Sequence, residues 1–399
     1  MLRERSASTA GQQEAQPGPS LGDQIGSNLE AGIETLLEAG REAALRDKTG
    51  KAAEAALDEL IAGRHAARHR IARDEAALWR QKGAFAFLHD TGAAIVAYAK
   101  AAELDPDDPK GWYWLGQLQQ RAGNLAAAMT SFQRVLALRN SIADPQLVHW
   151  TQMLIGDVER DRGDLAAALD HYQQASSLIT TLAKADPDNA GWQYDLGISN
   201  ERIGDVLLAQ GKLADALKAY QKRQDIISRL AKADPGNAGW QRDLSVSHER
   251  IGDVERDQGN LAAALASYQA ALAIAERLGK ADPDNAEWQY DLGISNERIG
   301  DVLMAQGKLA GALKAYQKRQ DIISRLAKAD PDNAGWQRDL SVSHERIGDV
   351  ERDQGDLAAA LTSYKAALAI SERLAEADPG NAGWQRDLSV SHERIGDVE

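Results

Sequence analysis

Between Pro187 and Pro235 the apolar positions fall three and four residues apart. Trp192, Leu196, Ile203 and Val206, with Ser199 among them, share one face of a helix. A polar break follows at Gln210-Gly211-Lys212, where a glycine suits the left-handed cap that ends a helix. Leu213, Ala216, Leu217, Tyr220, Ile227 and Leu230 then mark a second amphipathic helix. Asp234-Pro235 closes it, because proline cannot continue a helix. The stretch predicts a helical hairpin, and the same pattern returns at 237–283, 285–331 and 333–379.

The hairpins recur every 48 residues. Trp192, Trp240, Trp288, Trp336 and Trp384 keep that interval, as do Tyr172, Tyr220, Tyr268, Tyr316 and Tyr364. The tetrad Ile-Gly-Asp-Val stands at 155–158, 203–206, 251–254, 299–302, 347–350 and 395–398. A fixed period of this length is the signature of stacked repeats, in which each unit buries its apolar face only against its neighbours. The tetrad glycine sits inside a helix, where it costs about 1 kcal/mol against alanine. A penalty repeated at Gly156, Gly204, Gly252, Gly300, Gly348 and Gly396 implies a steric need. The expectation is close approach of the two helices of a hairpin, with Ala216 and its equivalents opposite. A second period overlies the first. Residues 189–236 and 285–332 differ at four positions, and 237–284 and 333–380 at seven. The repeating block is thus a 96-residue pair, alternating a Tyr194/Asn200/Leu208 type with an Arg242/His248/Arg256 type.

The flanks divide by composition. Residues 1–24 are polar, with Pro17-Gly18-Pro19, and read as a disordered leader. Leu29, Ile33, Leu36 and Leu37 open a helical segment over 25–74, broken at Lys48-Thr49-Gly50 and basic from Arg64 onward. Two short hairpins are expected over 75–143 and a transitional repeat over 144–188. Four 48-residue hairpins follow over 189–379, then a terminal half-repeat over 380–399.

Trp112, Leu115, Gly116, Gly123, Ala128 and Phe132 have the spacing of a 34-residue tetratricopeptide repeat, and the chain resembles that family over about 75–399. The longer units keep the centre of the motif at Gly204, Gly211, Ala216 and Tyr220. They add fourteen residues at the start of the first helix and the end of the second, a long form resembling bacterial tetratricopeptide proteins. The resemblance implies an all-α solenoid of stacked antiparallel hairpins in a right-handed superhelix, whose first helices line a concave groove that binds peptides or proteins. The groove positions it implies are Tyr194, Glu201, Asp205, Leu208, Arg242, Glu249, Asp253 and Arg256. Their counterparts 96 residues on are Tyr290, Glu297, Asp301, Met304, Arg338, Glu345, Asp349 and Arg352.

Charge and composition narrow the chemistry. The formal net charge of -14 argues against nucleic acid as main ligand, since phosphate binding rests on Lys and Arg. The chain has no cysteine, so a disulfide framework, thiolate nucleophile or Cys-ligated zinc is excluded. No apolar run approaches the roughly 20 residues of a membrane span, and no apolar core marks a signal peptide. The expectation is a cytoplasmic protein without membrane or cofactor. Glu201 and Asp205 stand one helical turn apart, as do their counterparts in each later unit. Paired acids can serve acid–base catalysis or a hard metal, but a pair in every unit reads as groove lining, or as solvated charge beside Arg202-type partners. His65 and His69 also have metal spacing, yet no third ligand is identifiable and arginines crowd them. His248, His344 and His392 alternate with Asn200 and Asn296, which reads as hydrogen-bonded packing. The repeat tryptophans lie on the core stripe and read as inter-repeat core. No serine triad and no phosphate-cradling glycine loop is present.

The pattern therefore points to a non-enzymatic scaffold or adaptor whose partner carries basic residues. The alternative is a sensor or autoinhibitory component of a bacterial signalling assembly, acting in trans. Because Glu399 falls within a unit, either a longer array or end-to-end association through 380–399 is expected.

Overall fold

The computed structural model describes residues 51–399. The leader, the helical pattern from Leu29 to Leu37 and the break at 48–50 lie outside the described residues. Among those described, all regular structure is helical. The chain divides into two compact units between Ala122 and Gly123.

The first unit contains α1 (Lys51–Ala86), α2 (Thr91–Leu104) and α3 (Pro109–Arg121). α1 runs unbroken through residues 74 and 75, so the basic stretch and the start of the first short hairpin are one helix. Ala86, Ala94, Tyr98, Ala102, Leu115 and Leu118 form its core. The basic face is partly matched by this unit's own acids: Arg80 Nη1 lies 2.7 Å from Asp108 and Arg73 Nε 3.6 Å from Asp105.

The second unit opens with α4 (Leu125–Ala137) and a 3-10 turn at Arg139–Ser141. Paired helices follow: α5 (Pro145–Asp161) with α6 (Leu165–Ala185), α7 (Ala190–Ala209) with α8 (Leu213–Ala233), and α9 (Ala238–Asp257) with α10 (Leu261–Ala281). Then come α11 (Ala286–Ala305) with α12 (Leu309–Ala329), α13 (Ala334–Asp353) with α14 (Leu357–Ala377), and α15 (Ala382–Gly396). Within this unit the main helix packing is sequential, each helix against its neighbours along the chain, as expected of an α-solenoid.

Local chemistry sets each boundary. The side chain of Asn189 accepts from the Trp192 amide at 3.1 Å and caps α7; Asn237, Asn285 and Asn333 do the same for α9, α11 and α13. At the hairpin turn Gly211 has φ +73°, and the Lys212 amide donates to Leu207 O at 2.8 Å, closing a Schellman motif. The first helix of a long unit has 20 residues and the second 21, against 13 in both α3 and α4. The added length lies at the start of the first helix and the end of the second, as the sequence pattern implied.

The glycine register differs from expectation in its partner. The Gly204 site faces the ring of Tyr220, not Ala216: a Cβ there would stand 2.6 Å from Tyr220 Cε1. The corresponding distances are 2.5–2.6 Å for Gly156, Gly252, Gly300 and Gly348 against Tyr172, Tyr268, Tyr316 and Tyr364. Gly83 meets Tyr98 in the same way, which the sequence reading missed. Ala216 packs beside Tyr220 in a core with Ile251 and Val254 of the following helix. Two of the repeat tryptophans seal seams: Trp240 packs on Ile226, Ile227 and Leu230, and Trp336 on Ile322, Ile323 and Leu326.

Candidate partner-binding surface

The first helices α7, α9, α11 and α13 carry the nominated positions, and their charges are organised from within. Tyr220 donates its hydroxyl to Asp205 at 2.8 Å, Tyr268 to Asp253 at 2.8 Å, Tyr316 to Asp301 at 2.7 Å and Tyr364 to Asp349 at 2.9 Å. The Ile-Gly-Asp-Val tetrad is therefore one device. Its glycine admits the tyrosine ring and its aspartate receives the hydroxyl. Burial first, and the aspartate second, push these tyrosines above their ordinary range, so they stay neutral donors.

The remaining acids bind the seams, and two kinds of seam alternate. In one, Arg223 of α8 is 2% exposed and reaches both neighbouring first helices. Its Nε lies 3.1 Å from Glu201, off the line of a hydrogen bond, while Nη1 donates to Asp243 O at 2.9 Å and to Ser247 Oγ. Arg319 repeats this with Glu297, Asp339 and Ser343. In the other seam the same position is alanine. Ser245 donates to Ala271 O at 3.0 Å, Ser295 donates to Glu249 at 2.7 Å, and Arg242 pairs with Asp291 and Glu287.

All sixteen nominated residues lie on or beside these seams, and all except Arg338 are half-buried. Glu201 and Glu297 face the buried arginines. Asp253 is shared by Tyr268, Arg298 at 3.2 Å and Arg256 at 3.8 Å. Glu345 accepts from Ser391 at 2.9 Å, and Arg394 bridges Glu345 and Asp349. Arg352 lies 3.3 Å from Asp353, and Arg338 pairs with Asp387. Tyr194 and Tyr290 pack on the isoleucines of the seam, and burial, followed by Asp339, raises Tyr290 to about 12. Leu208 and Met304 edge the cores around Tyr220 and Tyr316. The sequence reading missed Arg223, Arg319 and Ser247. A signal for them was available: Ala175, Arg223, Ala271, Arg319 and Ala367 alternate in one register, while Gly197, Ser245, Gly293 and Ser341 alternate in step. A Cβ at Gly197 would lie 3.9 Å from Arg223 Cγ, in ordinary contact with the arginine stem.

Gln224 donates to His248 Nδ1 at 2.9 Å and Gln320 to His344 Nδ1 at 2.9 Å, the packing role expected of these histidines. Burial lowers both below the ordinary histidine range. His65 and His69 are exposed on α1.

Burial pushes Glu249 above the usual carboxylate range, against the opposing effects of Ser295 and Arg298. A carboxyl whose folded value is raised contributes stability below its unfolded value of about 4.3, and that contribution is lost as pH rises through the folded value. Glu249→Gln, which keeps an acceptor for Ser295, is therefore expected to raise the melting temperature at pH 7 and to match the parent near pH 4. A lower melting temperature at pH 7 would mean that pairing with Arg298 outweighs burial.

Stacked helical hairpins with ordered polar seams define an α-solenoid, a class whose repeats serve as protein–protein interaction scaffolds. Tetratricopeptide repeat models match residues 109–181 and 243–301, 160–238 and 345–379, and a TPR repeat model matches 90–123. The chain belongs to the tetratricopeptide repeat family. Among solved structures, the apo form of RapI superposes with a TM-score of 0.54 at 12% identity, over 92% of this chain and 97% of that one. The C-terminal part of a TPR repeat-containing protein from Cytophaga hutchinsonii gives 0.48 at 15% identity, covering 78% and 99%. BtubC from P. vanneervenii gives 0.48 at 16%, covering 63% and 92%. Comparison with curated protein sequences gives no match. Among the described residues no helix is long and apolar enough to cross a membrane.

Proposed function

We propose that the protein is a non-enzymatic adaptor of the cytoplasm that binds a protein or peptide partner along its first-helix surface, at the nominated positions. One observation carries this reading. The seams hold near-identical first-helix surfaces in register at every second unit, which suits an extended partner. The four first helices α7, α9, α11 and α13 together carry seventeen acids and eight bases. Local pairing orders these charges without cancelling the excess, so a partner with basic residues suits the surface.

The test is affinity capture on the full chain with identification of the captured proteins, followed by titration at two salt concentrations. Salt should weaken binding, because exposed charges are screened beyond about 8 Å at physiological ionic strength. Reversing Asp205 or Asp253 would break the tyrosine contacts, so the exposed Asp257, Glu287 and Asp353 are the acids to change to lysine. A partner indifferent to salt and to all three reversals would overturn the reading. A partner captured only when residues 1–50 are present would favour the regulatory role instead. Association through 380–399 is a further part of the proposal, supported by the half-buried Trp384, Leu388, Ile395 and Val398. Light scattering on the full chain and on one ending at Asp378 tests it, and equal monomeric behaviour would rule it out.

A further inference from the structure

The two helix layers of the array carry opposite charge. Against the acidic first helices, the second helices α8, α10, α12 and α14 hold fourteen bases and six acids. Between α6 and α8 this basic layer opens into a groove of about 580 Å³, floored by α7. Its walls carry Lys184, Lys218 and Lys222 together with a row of hydroxyls from Ser176 to Thr181. Lys218 is matched by Asp215 at 3.0 Å, whereas Lys184 and Lys222 are exposed and have no carboxylate partner. The floor differs in character. Ile203 and Leu207 supply half-buried aliphatic surface, and Asn200, 7% exposed, donates its amide to Leu196 O at 2.7 Å.

We propose that this groove binds an acidic peptide segment in extended form. Alternate side chains would rest on Ile203 and Leu207, a backbone amide would donate to Asn200, and carboxylates between them would meet Lys184 and Lys222. An inorganic anion would use the amines but not the apolar floor, so the floor favours a peptide. The surface is separate from the first-helix face assigned to the adaptor's partner, and the two fail by different variants. The groove's row of hydroxyls is not repeated in the duplicated array. At the position 96 residues on, Ser176 is replaced by Leu272, Thr180 by Glu276 and Thr181 by Arg277. The lysines equivalent to Lys184 and Lys222, Lys280 and Lys318, are kept there.

The test is fluorescence anisotropy of the full chain with a labelled decapeptide of alternating Glu and Val, and with its Lys-for-Glu counterpart as control. The acidic peptide should bind and the basic one should not. Lys184→Glu with Lys222→Glu should weaken binding about tenfold or more, the loss of two exposed charge contacts. Both side chains are exposed, so the helical circular dichroism and melting curve should be unchanged. Lys280→Glu with Lys318→Glu should change affinity by no more than about twofold, since that site lacks the hydroxyl row. The proposal is overturned if the acidic peptide does not bind, or if both variants weaken it equally, which would show diffuse attraction to the basic layer. It is also overturned if the first variant leaves peptide binding intact but abolishes a dimer in sedimentation, which would make a second copy of the chain the occupant.

Discussion

Replacing Gly252 with leucine is expected to destabilise the array by a few kcal/mol. Even a single Cβ at this site would stand 2.6 Å from Cε1 and 2.8 Å from Cδ1 of Tyr268, a ring with no exposed surface. The ring cannot easily retreat, because its hydroxyl is held by Asp253 at 2.8 Å and its flank packs on Ile299 and Val302 of the next unit. Overpacking of such a contact costs about 1–3 kcal/mol. Helix propensity alone predicts the opposite sign, a gain of roughly 1 kcal/mol for Gly→Ala. The two accounts therefore separate in a urea melt. A lower midpoint for Gly252→Leu and Gly252→Ala supports the tyrosine contact, and an unchanged or higher midpoint defeats it. Gly396 supplies the control, since a Cβ there meets nothing within 4 Å. Gly396→Ala should be neutral or slightly stabilising.

Arg223→Ala is expected to cost about 3–5 kcal/mol at its seam, the range for removing one partner of a buried ion pair. The change strands Glu201, whose side chain is only 16% exposed, and removes donors from Asp243 O and Ser247. The lower end of the range is the better guide, because both carboxylates keep some water. Alanine is nevertheless the residue found at this register in the alternate units, where Ser245 in place of Gly197 donates to the carbonyl of Ala271. Adding Gly197→Ser to Arg223→Ala converts one seam toward the other kind. It should recover part of the loss, since a Cβ at Gly197 meets its nearest neighbour, Ile227, at 3.4 Å. Chemical melts of the parent, both single variants and the double variant decide the matter. Arg223→Ala melting like the parent would mark the arginine as a bystander. A double variant no better than Arg223→Ala would show that serine does not substitute for it.

Much of this was legible in the sequence, for identifiable reasons. Apolar residues three and four apart, glycines after each first helix and Asp-Pro after each second helix are local signals. They set hairpin boundaries without reference to any neighbour, and repetition multiplied each signal. The glycine of Ile-Gly-Asp-Val announced a close contact because a local penalty repeated in one register needs a local cause. Its partner, however, was not local. Ala216 and Tyr220 lie on the same stripe of the second helix, and only the packing of the two helices brings the tyrosine ring to the glycine. The acidic stripe shows the same limit. One helical turn between Glu201 and Asp205 places them on one face, but spacing within a helix does not say what stands opposite. Tertiary packing supplied Tyr220 from the same hairpin and Arg223 from the second helix, and so made these acids part of the seams. The sequence by itself determined the period, the hairpins and the alternation of unit types, because these depend on neighbours a few residues apart. The structure alone decided which charges face one another, because that depends on how each helix sits against its hairpin partner and the next unit, 15 to 49 residues away along the chain.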